Sequence, residues 1–209
     1  MIGKLPKSAR TKAKLKGILA ELCAEKGYQN VTVGDICDRA ETYRSTFYRY
    51  YNSKDDMLRE LENEYIEAAR NLTPSFADLG RVLTKEETAK LREELTADME
   101  YHRSHRKLCL FLLSSYGDPY FPRKMTESIT SMATAALGWQ GASKRRDYVL
   151  HFFAAGFIST VSEWLRKDDC SPEEIADVLL QLIADLSGFD REREHAAGQG
   201  SQTQSVTPE

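Results

Sequence analysis

The sequence predicts an all-α protein: an N-terminal three-helix unit containing a helix-turn-helix, followed by a larger helical body, with about nine helices in all. Three observations predict it. Apolar residues recur at helical spacing along nearly the whole chain, as in Leu15, Ile18, Leu19, Leu22 and Cys23. Capping patterns mark helix starts at Thr32, Thr84 and Ser171. No run alternates apolar and polar residues long enough to read as a strand.

The first helix carries the stripe just named and stops at Gly27. Thr32 opens a T-x-x-D pattern closed by Asp35, which starts a short second helix striped by Val33, Ile36, Cys37 and Ala40. The third runs from about Arg44 to Tyr50. Asn52 or Ser53 can cap a fourth, striped by Leu58, Leu61, Tyr65, Ala69 and Leu72. Thr73-Pro74 breaks the pattern, and residues 73–83 read as a loop or short helix. Thr84 and Glu87 form a second capping box, opening a polar helix to about His102. A short apolar run, Leu108–Leu113, follows. Gly117-Asp118-Pro119 turns the chain into a helix through Met125, Ile129 and Met132, and Gly138 to Ser143 form the next break. Tyr148–Leu165 is apolar on nearly every side, and such a helix must be covered on nearly every side. Ser171-Pro172-Glu173-Glu174 starts the last helix, striped from Ile175 to Leu186. After Gly188 the chain turns polar and aperiodic. The expected division is a helix-turn-helix domain at 1–54, a larger helical domain at 55–189, and a disordered tail at 190–209.

The composition, 41% hydrophobic and 29% charged, is that of an ordinary globular protein with a sizeable core. No apolar stretch is long enough to span a bilayer, and the basic N-terminus lacks the apolar core of a signal peptide, so a cytoplasmic location is expected. Cys23, Cys37, Cys109 and Cys170 are scattered, form no CxxC pair, and read as free thiols. The net charge of −3 argues against a polyanion partner, but its distribution argues for one. Residues 1–54 hold 11 basic and 5 acidic residues, a balance of +6; the rest hold 18 and 27, a balance of −9. A basic head on an acidic body places any nucleic-acid contact on the head.

At 100° per residue, Phe47, Tyr50 and Tyr51 fall on one side of the third helix, and Arg44, Ser45, Tyr48 and Arg49 on the other, with Thr46 at the edge. The aromatic side packs on its neighbours; the other offers guanidinium groups and hydroxyls to base edges or phosphates. Lys54, at the start of the next helix, suits a phosphate, and Lys7, Arg10, Lys12, Lys14 and Lys16 extend the basic footprint. This geometry alone fits two readings equally: a DNA-reading helix, or a plain three-helix bundle with a solvated basic face.

Residues 10–60 closely resemble the DNA-binding signature of the TetR family of bacterial transcription regulators. Thr32, Val33, Ile36, Ala40, Thr46, Phe47, Tyr48, Tyr50, Lys54 and Leu58 match its pattern, and so does the upstream helix ending in Gly27-Tyr28. The resemblance implies a homodimer whose recognition helices enter the major groove of a palindromic operator in double-stranded DNA, most commonly as a repressor. It carries DNA-contact roles to Arg44, Ser45, Thr46, Tyr48, Arg49 and Lys54, and a capping and phosphate-contact role to Thr32. Three positions depart from the pattern. Glu41 replaces the turn glycine, Tyr43 replaces the capping serine with Thr42 as a substitute, and Ser45 stands where a small residue is usual. A second reading follows from those departures: a regulatory interaction protein of the same fold, with weakened DNA binding, working through a protein partner.

The resemblance also implies that the last two helices pair across the dimer as a four-helix bundle, with Phe157, Val161, Trp164, Leu165, Val178, Leu182 and Leu186 as candidates. It implies that the middle helices enclose a small-molecule effector. Tyr101, His102, Phe111, Tyr116, Met125, Ile129 and Phe152, with Met132, would suit a hydrophobic or aromatic ligand, and ordinary core packing explains each singly. The segment from Tyr101 to Leu186 is similar to a C-terminal class found in many regulators, including an activator of a glycerone-kinase operon. No metal is expected: His105 and Cys109 share an i, i+4 spacing, but no ligand set is complete around them. No cofactor is expected either. No enzyme is predicted, since the chain has no G-x-S-x-G elbow, glycine-rich phosphate loop or H-E-x-x-H.

Overall fold

The computed structural model describes residues 6–72, 83–114, 117–136 and 144–184. Along them run α1 (Lys7–Lys26), a 3₁₀ turn (Tyr28–Asn30), α2 (Val33–Arg39), α3 (Arg44–Tyr48), α4 (Lys54–Leu72), α5 (Lys85–Ser104), α6 (Arg106–Leu112), α7 (Phe121–Ala136), α8 (Lys144–Lys167) and α9 (172–184). Among the described residues there is no strand. The expected tail at 190–209, most of the 73–83 loop and the break after Gly138 lie outside the described residues, as do Tyr116 and Leu186.

The capping chemistry is local and follows the sequence. Thr32 accepts a hydrogen bond from the Asp35 amide while Asp35 accepts one from the Thr32 amide. Thr84 and Glu87 repeat that exchange at the start of α5, and Ser171 and Glu174 repeat it at α9. Ser53, not Asn52, caps α4 by accepting from the Asp56 amide. Each cap stabilises its helix by about 1 kcal/mol. Gly27 ends α1 at φ 76°, and its amide closes on the Cys23 carbonyl.

The head packs α1 against α2 and α4, and α2 against α3. Leu15, Leu19, Ile36, Phe47 and Met57 are its most deeply buried side chains. The body packs α4 against α5 and α7, and α8 against α5, α6 and α7. Leu95, Met99, Leu112, Phe121 and Leu165 lie at its centre. The two cores are continuous, because α1 also rests on α6 and α4 runs through both. Among the cysteines, Cys23, Cys37 and Cys109 are buried free thiols. Among the described residues, no helix is long and apolar enough to cross a membrane.

Two expectations about element bounds are corrected. Helix α3 stops at Tyr48 rather than Tyr50, because Arg49 already serves as its C-cap. The polar α5 runs past His102 to Ser104, and His105, at φ −107° and ψ 22°, joins it to α6.

Candidate nucleic-acid interface

The turn between α2 and α3 decides how α3 is presented. The Glu41 amide donates to the Asp38 carbonyl at 3.1 Å, and the Thr42 amide to the Cys37 carbonyl at 2.9 Å. These paired bonds form a Schellman ending, whose central residue must be left-handed. That residue is Glu41, at φ 52°. A side chain in that conformation costs about 1 kcal/mol relative to glycine. Lys14 reinforces the turn from α1 by donating to the Ala40 carbonyl at 2.6 Å. The N-cap position of α3 falls on Tyr43, not Thr42, and Tyr43 makes no side-chain capping bond.

Helix α3 sorts its residues as the helical wheel requires. Phe47 and Tyr51 are buried and Tyr50 half-buried, with Phe47 meeting Tyr51 at 5.7 Å between ring centroids. Arg44, Ser45, Tyr48 and Arg49 are exposed, and Thr46 is half-buried at the edge. Tyr43 adds an aromatic ring that is 82% exposed at the start of the same face.

The basic side chains of the head divide into two sets. Lys12 pairs with Glu60 at 2.7 Å, Lys16 with Glu60 and Glu64, Lys26 with Asp35 at 2.9 Å, and Arg39 with Glu25 through both guanidinium nitrogens. Lys14 is held by the turn, as described. Lys54 donates to the carbonyls of Tyr28 and Val31 at 2.9 and 2.8 Å and lies over the Tyr28 ring. Its ammonium therefore ties α4 to the segment leading into α2, with one proton left for an anion. Thr32 is similarly engaged, its hydroxyl both accepting from and donating to Asp35. Lys7, Arg10, Arg44 and Arg49 form no ion pair among the described residues. The sequence pattern does not separate these sets, because the partners lie on other elements: Glu60 and Glu64 on α4, Asp35 on α2 and Glu25 on α1.

A family model described as "Bacterial regulatory proteins, tetR family" matches residues 19–61, and one described as "Transcriptional regulator C-terminal region" matches residues 91–185. The chain belongs to the TetR family. Like other TetR regulators it carries a DNA-binding helix-turn-helix and is a transcriptional regulator rather than an enzyme. Its fold is similar to a putative TetR-family regulator from Syntrophomonas wolfei at 18% identity, covering 87% of this chain and 96% of that one with a TM-score of 0.63. A TetR regulator from Streptococcus agalactiae 2603V is similar at 24% identity, covering 85% and 95%, TM-score 0.58. The dihydroxyacetone kinase operon activator DhaS is similar at 14% identity, covering 86% and 97%, TM-score 0.58. No curated protein matches.

The TetR body places the expected effector residues differently from one another. His102, Phe111, Met125 and Ile129 are buried in the core, whereas Phe152 is 73% exposed on α8. Tyr101 borders a groove of about 770 Å³ between α1, α4, α5 and α6, where its ring stacks on His105 at 4.3 Å. His102 bonds the Tyr65 hydroxyl through Nδ1 at 2.6 Å and faces Asp98 across 3.3 Å through Nε2. Burial opposes its charge, but the neighbouring Asp98 and Cys109 prevail and lift the imidazole to about 9. Asp98 is fully buried, with its Oδ1 3.3 Å from Nε2 of His102, and neither of its oxygens accepts a hydrogen bond.

The expected dimer residues also divide. Phe157, Val161, Trp164 and Leu165 are buried in the chain's own core, where the Trp164 indole donates to the Cys170 carbonyl at 3.0 Å. Val178 and Leu182 stand exposed on α9, and Tyr148, Val149 and Phe152 stand exposed on α8.

Proposed function

We propose that this TetR regulator acts as a homodimer on a palindromic operator, as a repressor that a small-molecule effector releases or modulates. The observation that carries the reading is the sorting of α3: Arg44, Ser45, Tyr48 and Arg49 face solvent while Phe47 and Tyr51 anchor the helix from behind. Ser45, Tyr48 and Arg49 meet bases and phosphates together with Arg44, and Thr46 lies at the margin of the contact. Thr32 and Lys54 serve chiefly to hold the unit's geometry.

Dimerisation is supported by Tyr148, Val149, Phe152, Val178 and Leu182, large apolar side chains exposed on α8 and α9. A second copy of the chain covers them by a two-fold pairing of these helices. The effector acts by favouring one arrangement of the two heads over the other. It is a hydrophobic or aromatic molecule.

Fluorescence anisotropy with the DNA upstream of the chain's own gene, across a salt series, tests the reading. Site-preferring binding that weakens steeply with salt is expected. Absence of site-specific binding at low salt would refute it and leave the protein-partner reading in its place. A ligand screen by thermal shift, followed by an operator-release assay, tests the effector.

A further inference from the structure

The start of α2 carries a glycine that the fold of the helix does not need. Gly34 has ordinary helical backbone, where alanine is preferred over glycine. Its space is occupied from the neighbouring helix. A Cβ built on Gly34 would lie 3.0 Å from Nη2 of Arg44 and 3.9 Å from its Cζ, and 3.4 Å from Oγ1 of Thr32. The Arg44 guanidinium thus lies across the bare backbone of the first turn of α2, beside the capping threonine. Its charge reaches Cys37 one turn further on, where it opposes the rise that burial imposes on that thiol.

We propose that Gly34 is a positioning residue for Arg44, and that its missing side chain helps set which base or phosphate this guanidinium addresses. Arg44 extends from the first position of α3, where recognition helices make their base contacts. An unconstrained arginine there would sample many rotamers. Laid against Gly34, with Asp35 already engaged by Thr32 and Lys26, the guanidinium stays unpaired and held in one direction. A methyl group at position 34 pushes its far end aside by a few tenths of an ångström. A larger side chain expels it. The fold pays little for either, since the obstructing atoms belong to the end of a flexible side chain. The proposal rests on the reading of Arg44 as a DNA contact.

The test uses the full-length protein and duplexes selected by it from a library randomised over the operator half-site. Gly34→Ala and Gly34→Gln are compared with Arg44→Ala and with the double variant Gly34→Gln/Arg44→Ala. Thermal melting of Gly34→Ala should be unchanged or raised. Base preference should relax at the positions that Arg44→Ala relaxes, with roughly 5-fold weaker binding to the selected duplex for Gly34→Gln. In the Arg44→Ala background the second substitution should have no effect on preference, a result that a purely structural role for Gly34 does not produce. If Gly34→Gln keeps the wild-type preference while Arg44→Ala relaxes it, the positioning proposal is overturned and the DNA-reading face stands. If Arg44→Ala keeps both the preference and the affinity, Arg44 touches neither base nor phosphate, and the positioning proposal falls together with the reading of Arg44 as a DNA contact.

Discussion

At the scale of single residues, Glu41 and Lys54 show what position in a fold adds to chemistry. Glu41 occupies a left-handed position and carries negative charge beside a surface proposed to meet phosphates. Glu41→Gly removes both penalties. It should raise Tm by about 2–4 °C, corresponding to about 1 kcal/mol in a chain of this size, and tighten DNA binding at low salt. Calorimetry and anisotropy on the same preparation check the two effects. Lys54 has the spacing of a phosphate ligand, yet its ammonium is held by the carbonyls of Tyr28 and Val31. Lys54→Ala should therefore destabilise the DNA-free protein by about 1–2 kcal/mol. An unchanged Tm would return Lys54 to the role of a free cation. The strain at Glu41 was legible, since only one residue can sit where the turn needs a glycine. The engagement of Lys54 was not, because an ammonium at a helix start suits an anion and a carbonyl equally well.

At the scale of elements, the sequence was most informative where partners are near in the chain. The capping boxes at Thr32, Thr84 and Ser171 and the stop at Gly27 were all readable, since each involves residues three or four apart. The faces of α8 were not. Its apolar residues point nearly all round, and only the packing of α5, α6 and α7 determines that Phe157, Val161 and Trp164 go inward while Phe152 goes outward. This division predicts a contrast between two charge insertions. Phe152→Glu should give a folded monomer, with helical circular dichroism retained and mass halved in light scattering. Val161→Glu should fail to fold, because a charge at that site has no partner. A dimer surviving Phe152→Glu would remove α8 from the interface.

The joint between α4 and α5 carries its own pH signature. In the folded chain His102 titrates at about 9, against 6.5 for a free imidazole. Protonated, it can donate to the Tyr65 hydroxyl and toward Asp98 at once. The added stability is fully present below pH 6.5 and is lost as pH rises through 9, on the order of 3 kcal/mol in all. Tm should accordingly fall between pH 7 and 9.5 in the wild type, and the same interval should be flatter for His102→Gln. Equal slopes would place the loss elsewhere.

At the scale of the molecule, charge asymmetry was visible in the sequence, but the count of cations available to DNA was not. Much of the head's positive charge is consumed by Glu25, Asp35, Glu60 and Glu64. Among the described residues, Lys7, Arg10, Arg44 and Arg49 remain unpaired, so the proposed dimer neutralises about eight phosphates through them, and log K against log salt should slope at about −7. A markedly steeper slope would mean that cations engaged within the head, such as Lys12 with Glu60 or Lys54, also turn to phosphate on binding.

The helix α4 has one further consequence, for protein engineering. Its first three turns supply Met57, Leu58, Glu60 and Glu64 to the head, and the adjoining Tyr65 bonds His102 on α5. The reading head is therefore not a detachable cassette ending at residue 54. A chimera that exchanges operator specificity between regulators has to carry the donor's α4 through at least Glu64, and must splice within a helix rather than at a loop.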